Sequence, residues 1–73
     1  MRNQIMKSMK RNVELNMMYL ARDGGVSKRR IKVLWVGERS FTAFCYLQQS
    51  KRTFIIENVL ALVPITMNER DVV

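Results

Sequence analysis

The chain has 73 residues, room for one small domain with a single core, and a domain of that size buries only about 60% of the surface its unfolded chain exposes. Thirteen Lys and Arg against six Asp and Glu leave a net charge of +7, which favours an anionic partner. One cysteine and no histidine exclude an internal disulfide and a zinc site, and no apolar run approaches the ~18 residues of a membrane span. The expectation is a reduced, cytoplasmic, non-membrane protein without cofactor or metal.

The first segment places Ile5, Met6, Met9 and Val13 on one face and Arg2, Lys7, Lys10 and Arg11 elsewhere, the spacing of a short amphipathic helix. About ten residues of helix are marginal alone in water, so its Met-rich stripe is expected to lie on the rest of the domain as a lid. From residue 13 the period falls to two. Val13, Leu15, Met17 and Tyr19 alternate with Glu14, Asn16 and Met18 in a first strand, and Asp23-Gly24-Gly25 signals a hairpin.

In the second strand Arg29, Ile31, Val33 and Trp35 alternate with Arg30, Lys32 and Leu34, and Gly37-Glu38-Arg39 turns the chain. In the third, Phe41, Ala43, Cys45 and Leu47 face one way and Thr42, Phe44 and Tyr46 the other, until Gln49-Ser50 reverses direction. A fourth strand runs from Arg52 to Ile56. Glu57-Asn58-Val59 makes a single helical turn before a last strand from Leu60 to Ile65. Residues 1–66 thus form one domain, and residues 67–73 a frayed tail.

This order is that of a mainly β, five-stranded SH3-like or Sm-like barrel, in which closure removes exposed strand edges. Inward parity assigns Leu15, Met17, Ile31, Val33, Trp35, Phe41, Ala43, Cys45, Leu47, Phe54, Ile56 and Leu62 to the core. Phe44, Met18, Leu34 and Val36 are left facing outward.

The residue content argues against an enzyme. There is no histidine to act as a base, Cys45 sits at core parity, and no phosphate loop or nucleophile elbow occurs. Glu14, Asp23, Glu38 and Glu57 fall on separate elements without a paired pattern.

What remains is an arrangement of arginines. Arg29 and Arg52 each begin the inward row of a strand, where a charge is costly unless it is paired or at a rim. In an up-and-down meander this end gathers Tyr19, Arg29, Tyr46, Leu47, Lys51 and Arg52, two guanidiniums beside two tyrosines, suited to phosphate contact and base stacking. The alternative is that both arginines snorkel at the rim, paired with Glu14 or Glu57, and the tyrosines are half-buried core. Lys28-Arg29-Arg30-x-Lys32 reads as a solvated, charge-protected edge or as an extension of the basic rim.

The run Phe41-Thr42-Ala43-Phe44-Cys45-Tyr46-Leu47, followed by Lys51-Arg52-Thr53-Phe54-Ile55-Ile56-Glu57-Asn58-Val59, resembles the core of the WYL domain of bacterial regulators. There a strand ending Ala-Tyr-Cys-x-Leu precedes an Arg-x-Phe-x-Leu-Asp-Arg-Ile segment. Tyr19, the glycine turn and Arg29-x-Ile31 follow the family's order, and the resemblance spans about residues 13 to 65. It implies an Sm-like barrel acting as a sensor module, with Arg52 in a basic pocket for nucleic acid or a nucleotide-like ligand. The chain departs from the pattern where Arg39-Ser40-Phe41 replaces Trp-Tyr-Leu, Val33 a proline, Tyr46 a histidine, Gln48 an arginine and Glu57-Asn58 an Asp-Arg pair.

The one helix is too short for a helix-turn-helix, so a stand-alone or accessory module, acting with a separate regulator chain, is expected. Two functions follow. One is a regulatory module that binds single-stranded nucleic acid or a nucleotide through Tyr19, Arg29, Tyr46, Lys51 and Arg52. The other is a structural Sm-like subunit that self-associates or binds a partner through its outward apolar residues.

Overall fold

The computed structural model describes residues 1–65, and the tail expected over 67–73 lies outside them. Helix α1 (Arg2–Arg11) precedes strands β1 (Glu14–Leu20), β2 (Val26–Val36), β3 (Ser40–Cys45) and β4 (Ser50–Ile55), a 3-10 turn (Ile56–Asn58) and β5 (Val59–Pro64). The strands form one antiparallel sheet in the order β4-β3-β2-β1-β5. This is the expected small, mainly β fold.

Local chemistry fixes the turns. Asn12 adopts the left-handed conformation that ends α1 (φ 62), which lets the Asn12 and Val13 amides donate to the Met9 and Ser8 carbonyls. Between β1 and β2 the Asp23 carboxylate accepts from the Gly25 amide at 2.9 Å, and Gly24 takes a φ of 92 that a side chain would resist.

The inner face of the sheet and the Ile5 side of α1 enclose one core: Ile5, Leu15, Met17, Ile31, Val33, Phe41, Ala43, Cys45, Phe54, Val59 and Leu62. Ile5 and Met9 bring the expected helix face onto this core, and the Arg2 guanidinium ties α1 to the Gly37 carbonyl at 2.8 Å. Among the described residues no ladder joins β4 to β5. The Tyr19 hydroxyl instead accepts from the Ile55 amide at 2.8 Å, linking the end of β1 to the end of β4.

Two core assignments fail. Trp35 is 58% exposed because the β2–β3 register slips by one residue after Val33 pairs with Ala43. Leu34 fills the irregularity, Trp35 then faces the outward Thr42, and Val36 takes the inward place opposite Phe41. Val36, expected outside, therefore packs on the core. Leu47 is 70% exposed because β3 ends at Cys45 and residues 46–49 turn through Gln49 at φ 53. The helical turn also sits one residue earlier than expected, which turns Val59 inward as the first residue of β5.

Candidate functional site

The inward row of β2 continues past Ile31 to Arg29, opposite Met17 on β1. The Arg29 side chain is half-buried and held by three groups, none of them acidic. Its Nε donates to Ser27 Oγ at 3.2 Å, one terminal nitrogen donates to Cys45 Sγ at 3.6 Å, and its Cζ lies 5.9 Å from the Phe54 ring centroid. Phe54 is fixed in turn by Tyr19 and Phe41, with centroids at 5.0 and 5.6 Å. Two of the five guanidinium N–H donors are thus engaged, and among the described residues no carboxylate approaches within 4.0 Å of Arg29. An arginine aligned by neutral partners and lacking a counter-charge is organised to receive an anion.

Arg52 lies on the same inner face, since it pairs with Ala43 one step before Phe54 pairs with Phe41. It is exposed, and its guanidinium donates to the Gln48 side-chain carbonyl in the β3–β4 turn. Lys51 faces Phe44 and belongs to the outer face at the edge of this end. Tyr19 and Arg29 therefore meet through Phe54, and Arg52 shares their face.

Tyr46 does not join them. It packs edge-on against Phe44 at 5.0 Å on the outer face and donates its hydroxyl proton to Glu14 at 3.0 Å. Glu14 also lies 3.9 Å from Arg30. Burial pushes the Tyr46 phenol above its ordinary pKa, the Glu14 hydrogen bond and charge push it further, and Arg30 works against them. The expected pairing of Glu14 with a core-facing arginine is replaced by this outer cluster. Tyr46 shares alternation parity with Phe44, and that signal points to the outer face.

Three residues escaped the sequence reading as parts of this end: Ser27, Cys45 and Phe54 as a platform. Ser27 was missed because β2 begins at Val26, not near Arg29. Cys45 is fully buried at core parity. Burial pushes its thiol up, but hydrogen bonds from the Gln48 backbone, Arg29 and the Leu47 backbone outweigh it and hold the thiol below its ordinary range.

No family model matches the chain, and no curated protein matches it. Among solved structures it is similar to proteasome accessory factor B/C (PafBC) of Arthrobacter aurescens, with a TM-score of 0.76 at 21% identity. The match covers 85% of this chain and 10% of that one, so the chain corresponds to a small part of the larger protein. At this identity the likeness establishes the fold: a short helix followed by a five-stranded antiparallel sheet. No described helix is long and apolar enough to cross a membrane.

Proposed function

We propose that this chain is a non-enzymatic, cytoplasmic sensing or regulatory module that binds a phosphate-bearing ligand, single-stranded nucleic acid or a nucleotide, at the Arg29 end of the barrel. The observation that carries this reading is the half-buried Arg29 guanidinium, held by Ser27, Cys45 and Phe54 with no carboxylate beside it among the described residues. Leaving such a charge without a partner is costly, and an incoming phosphate relieves that cost through the free N–H donors.

Arg52 and Lys51 widen the positive field, Tyr19 holds the Phe54 platform, and Tyr46 contributes from the outer face only through the Arg30–Glu14 cluster. The resemblance to the WYL domain on Arg52-x-Phe54 supports the same end, and the similarity to part of a proteasome accessory factor agrees with an accessory module joined to, or working with, a regulator chain.

The test is a titration of a short single-stranded oligonucleotide and of a nucleotide across a salt series. Each lost phosphate contact lowers the log–log slope for a single strand by roughly 0.7. Arg52→Ala is expected to lower affinity and slope more than Lys32→Ala, because Arg52 shares the inner face with Arg29 while an outer lysine adds a screened charge. Equal small effects in two folded variants would leave only diffuse electrostatics, and no binding by the parent at low salt would refute the proposal.

A further inference from the structure

The outer face carries a second feature that the Arg29 end does not use. A shallow groove of about 450 Å³ crosses β2, β1 and β5, lined by Asn16, Met18, Lys28, Ala61 and Val63 together with Met17. Register explains its two-sided chemistry. Met18 stands between Lys28 on β2 and Ala61 on β5, and Asn16 stands between Arg30 on β2 and Val63 on β5. The β5 side is therefore aliphatic, with Val63 57% exposed. The β2 side is basic, since Lys28, Arg30 and Lys32 follow one another at every second residue. Among the described residues Glu14 is the one carboxylate on them, 3.9 Å from Arg30 and opposite Lys32.

We infer that this face docks an acidic amphipathic helix supplied by another protein chain. Charge complementarity sets the acidic edge: carboxylates along one side of the helix meet the Lys28–Lys32 row while an aliphatic stripe covers Met18, Ala61 and Val63. Size sets the helix. Strands lie about 4.8 Å apart, so β2 and β5 are separated by roughly 10 Å, the width of one helix with its side chains. An extended segment added to the β5 edge would lie about 14 Å from β2, too far for its carboxylates to reach the basic row. Nucleic acid fits less well, because Met18, Ala61 and Val63 dominate the groove and the outer rings lie away from it, Phe44 on β3, Tyr46 just past the end of β3 and Trp35 near the far end of β2 from Lys28.

The experiment uses the full chain and labelled helical peptides of about 16 residues read by fluorescence anisotropy. One peptide carries a leucine stripe flanked by glutamates, the other the same stripe flanked by lysines. The acidic peptide is expected to bind and the basic one not. Lys28→Glu and Val63→Lys are each expected to weaken the acidic peptide by roughly tenfold. Arg29→Ala leaves it unchanged, which separates this site from the anion-binding end. Val63→Lys is decisive because it adds a positive charge: tighter or equal binding of the acidic peptide would mean attraction without docking and would overturn the proposal.

Val63 is exposed on an edge strand, where lysine is well tolerated, and circular dichroism with a urea midpoint checks that each variant is folded. Other occupants give distinct contrary results. A dimer by light scattering that Val63→Lys dissolves would make a second copy the occupant. Tighter peptide binding after Glu69→Gln with Asp71→Asn would make it the chain's own terminal segment. A larger loss of oligonucleotide than of peptide binding in Lys28→Glu would make it a nucleic-acid surface.

Discussion

On the inner face Arg29 rests against Phe54, Ser27 and Cys45 with no acidic neighbour among the described residues. One residue along β2, on the outer face, Arg30 lies 3.9 Å from a carboxylate that also accepts the Tyr46 hydroxyl. Both places combine an arginine, a tyrosine and a phenylalanine. The outer cluster sets a carboxylate beside its arginine, so Arg30 has a local counter-charge that Arg29 lacks among the described residues. The inner end buries aromatic surface around a guanidinium that meets no carboxylate among the described residues. The two arginines differ in the presence of Glu14 beside Arg30, not in the number of contacts.

The largest expected effect falls on the inner platform. Phe54→Ala should lower stability by about 3–5 kcal/mol in urea unfolding, because a ring buried between Tyr19, Phe41 and Arg29 leaves a cavity. A loss near that of an exposed residue would mean that Arg29 has no rigid support. On the outer face Tyr46→Phe removes one half-buried hydrogen bond and should cost only about 1 kcal/mol.

The same variant has a pH signature. Tyr46 has a raised pKa in the folded chain, so its stabilisation is fully present below the ordinary tyrosine value near ~10 and is lost as pH rises through the folded value. Stability measured from neutral into strongly alkaline solution should therefore fall more steeply for the parent than for Tyr46→Phe. Parallel curves would remove Glu14 as the partner of Tyr46. The smallest effect concerns Cys45: its thiol is polarised but fully buried, so native protein should react with a thiol reagent far more slowly than urea-unfolded protein. Fast reaction of native protein would show that the inner end is open to solvent down to Cys45.

Much of the fold was legible because alternation survives wherever a strand pairs without interruption. Leu15 and Met17, Ile31 and Val33, and Phe41, Ala43 and Cys45 are all buried as parity requires. Trp35 was misread because a single-residue slip in register leaves no mark in composition, and a large aromatic in an apolar row reads as core. Leu47 was misread because nothing in Tyr46-Leu47-Gln48-Gln49 announces a turn, the positive φ falling on Gln49 rather than on a glycine.

In the candidate site, inward parity and chain direction put Arg29 near Tyr19, but they carry no information on counter-charges. Whether Glu14 meets Arg29 or Arg30 is decided by which face residue 14 occupies, and its alternation with Leu15 and its register partner Lys32 both place it outside. Ser27 was invisible for a related reason: the polar start of β2, Val26-Ser27-Lys28, lacks the alternation that marks the rest of the strand.

The central claim, that Arg29 is the open charge and Arg30 the satisfied one, is tested most directly by comparing Arg29→Ala with Arg30→Ala in oligonucleotide titrations over salt. The two substitutions remove the same charge from adjacent residues, so net electrostatics cannot distinguish them. Arg29→Ala should lower the log–log salt slope by roughly 0.7 and weaken binding clearly, while Arg30→Ala should change both only slightly. Equal losses, or a larger loss for Arg30→Ala, in two variants shown to be folded would contradict the account.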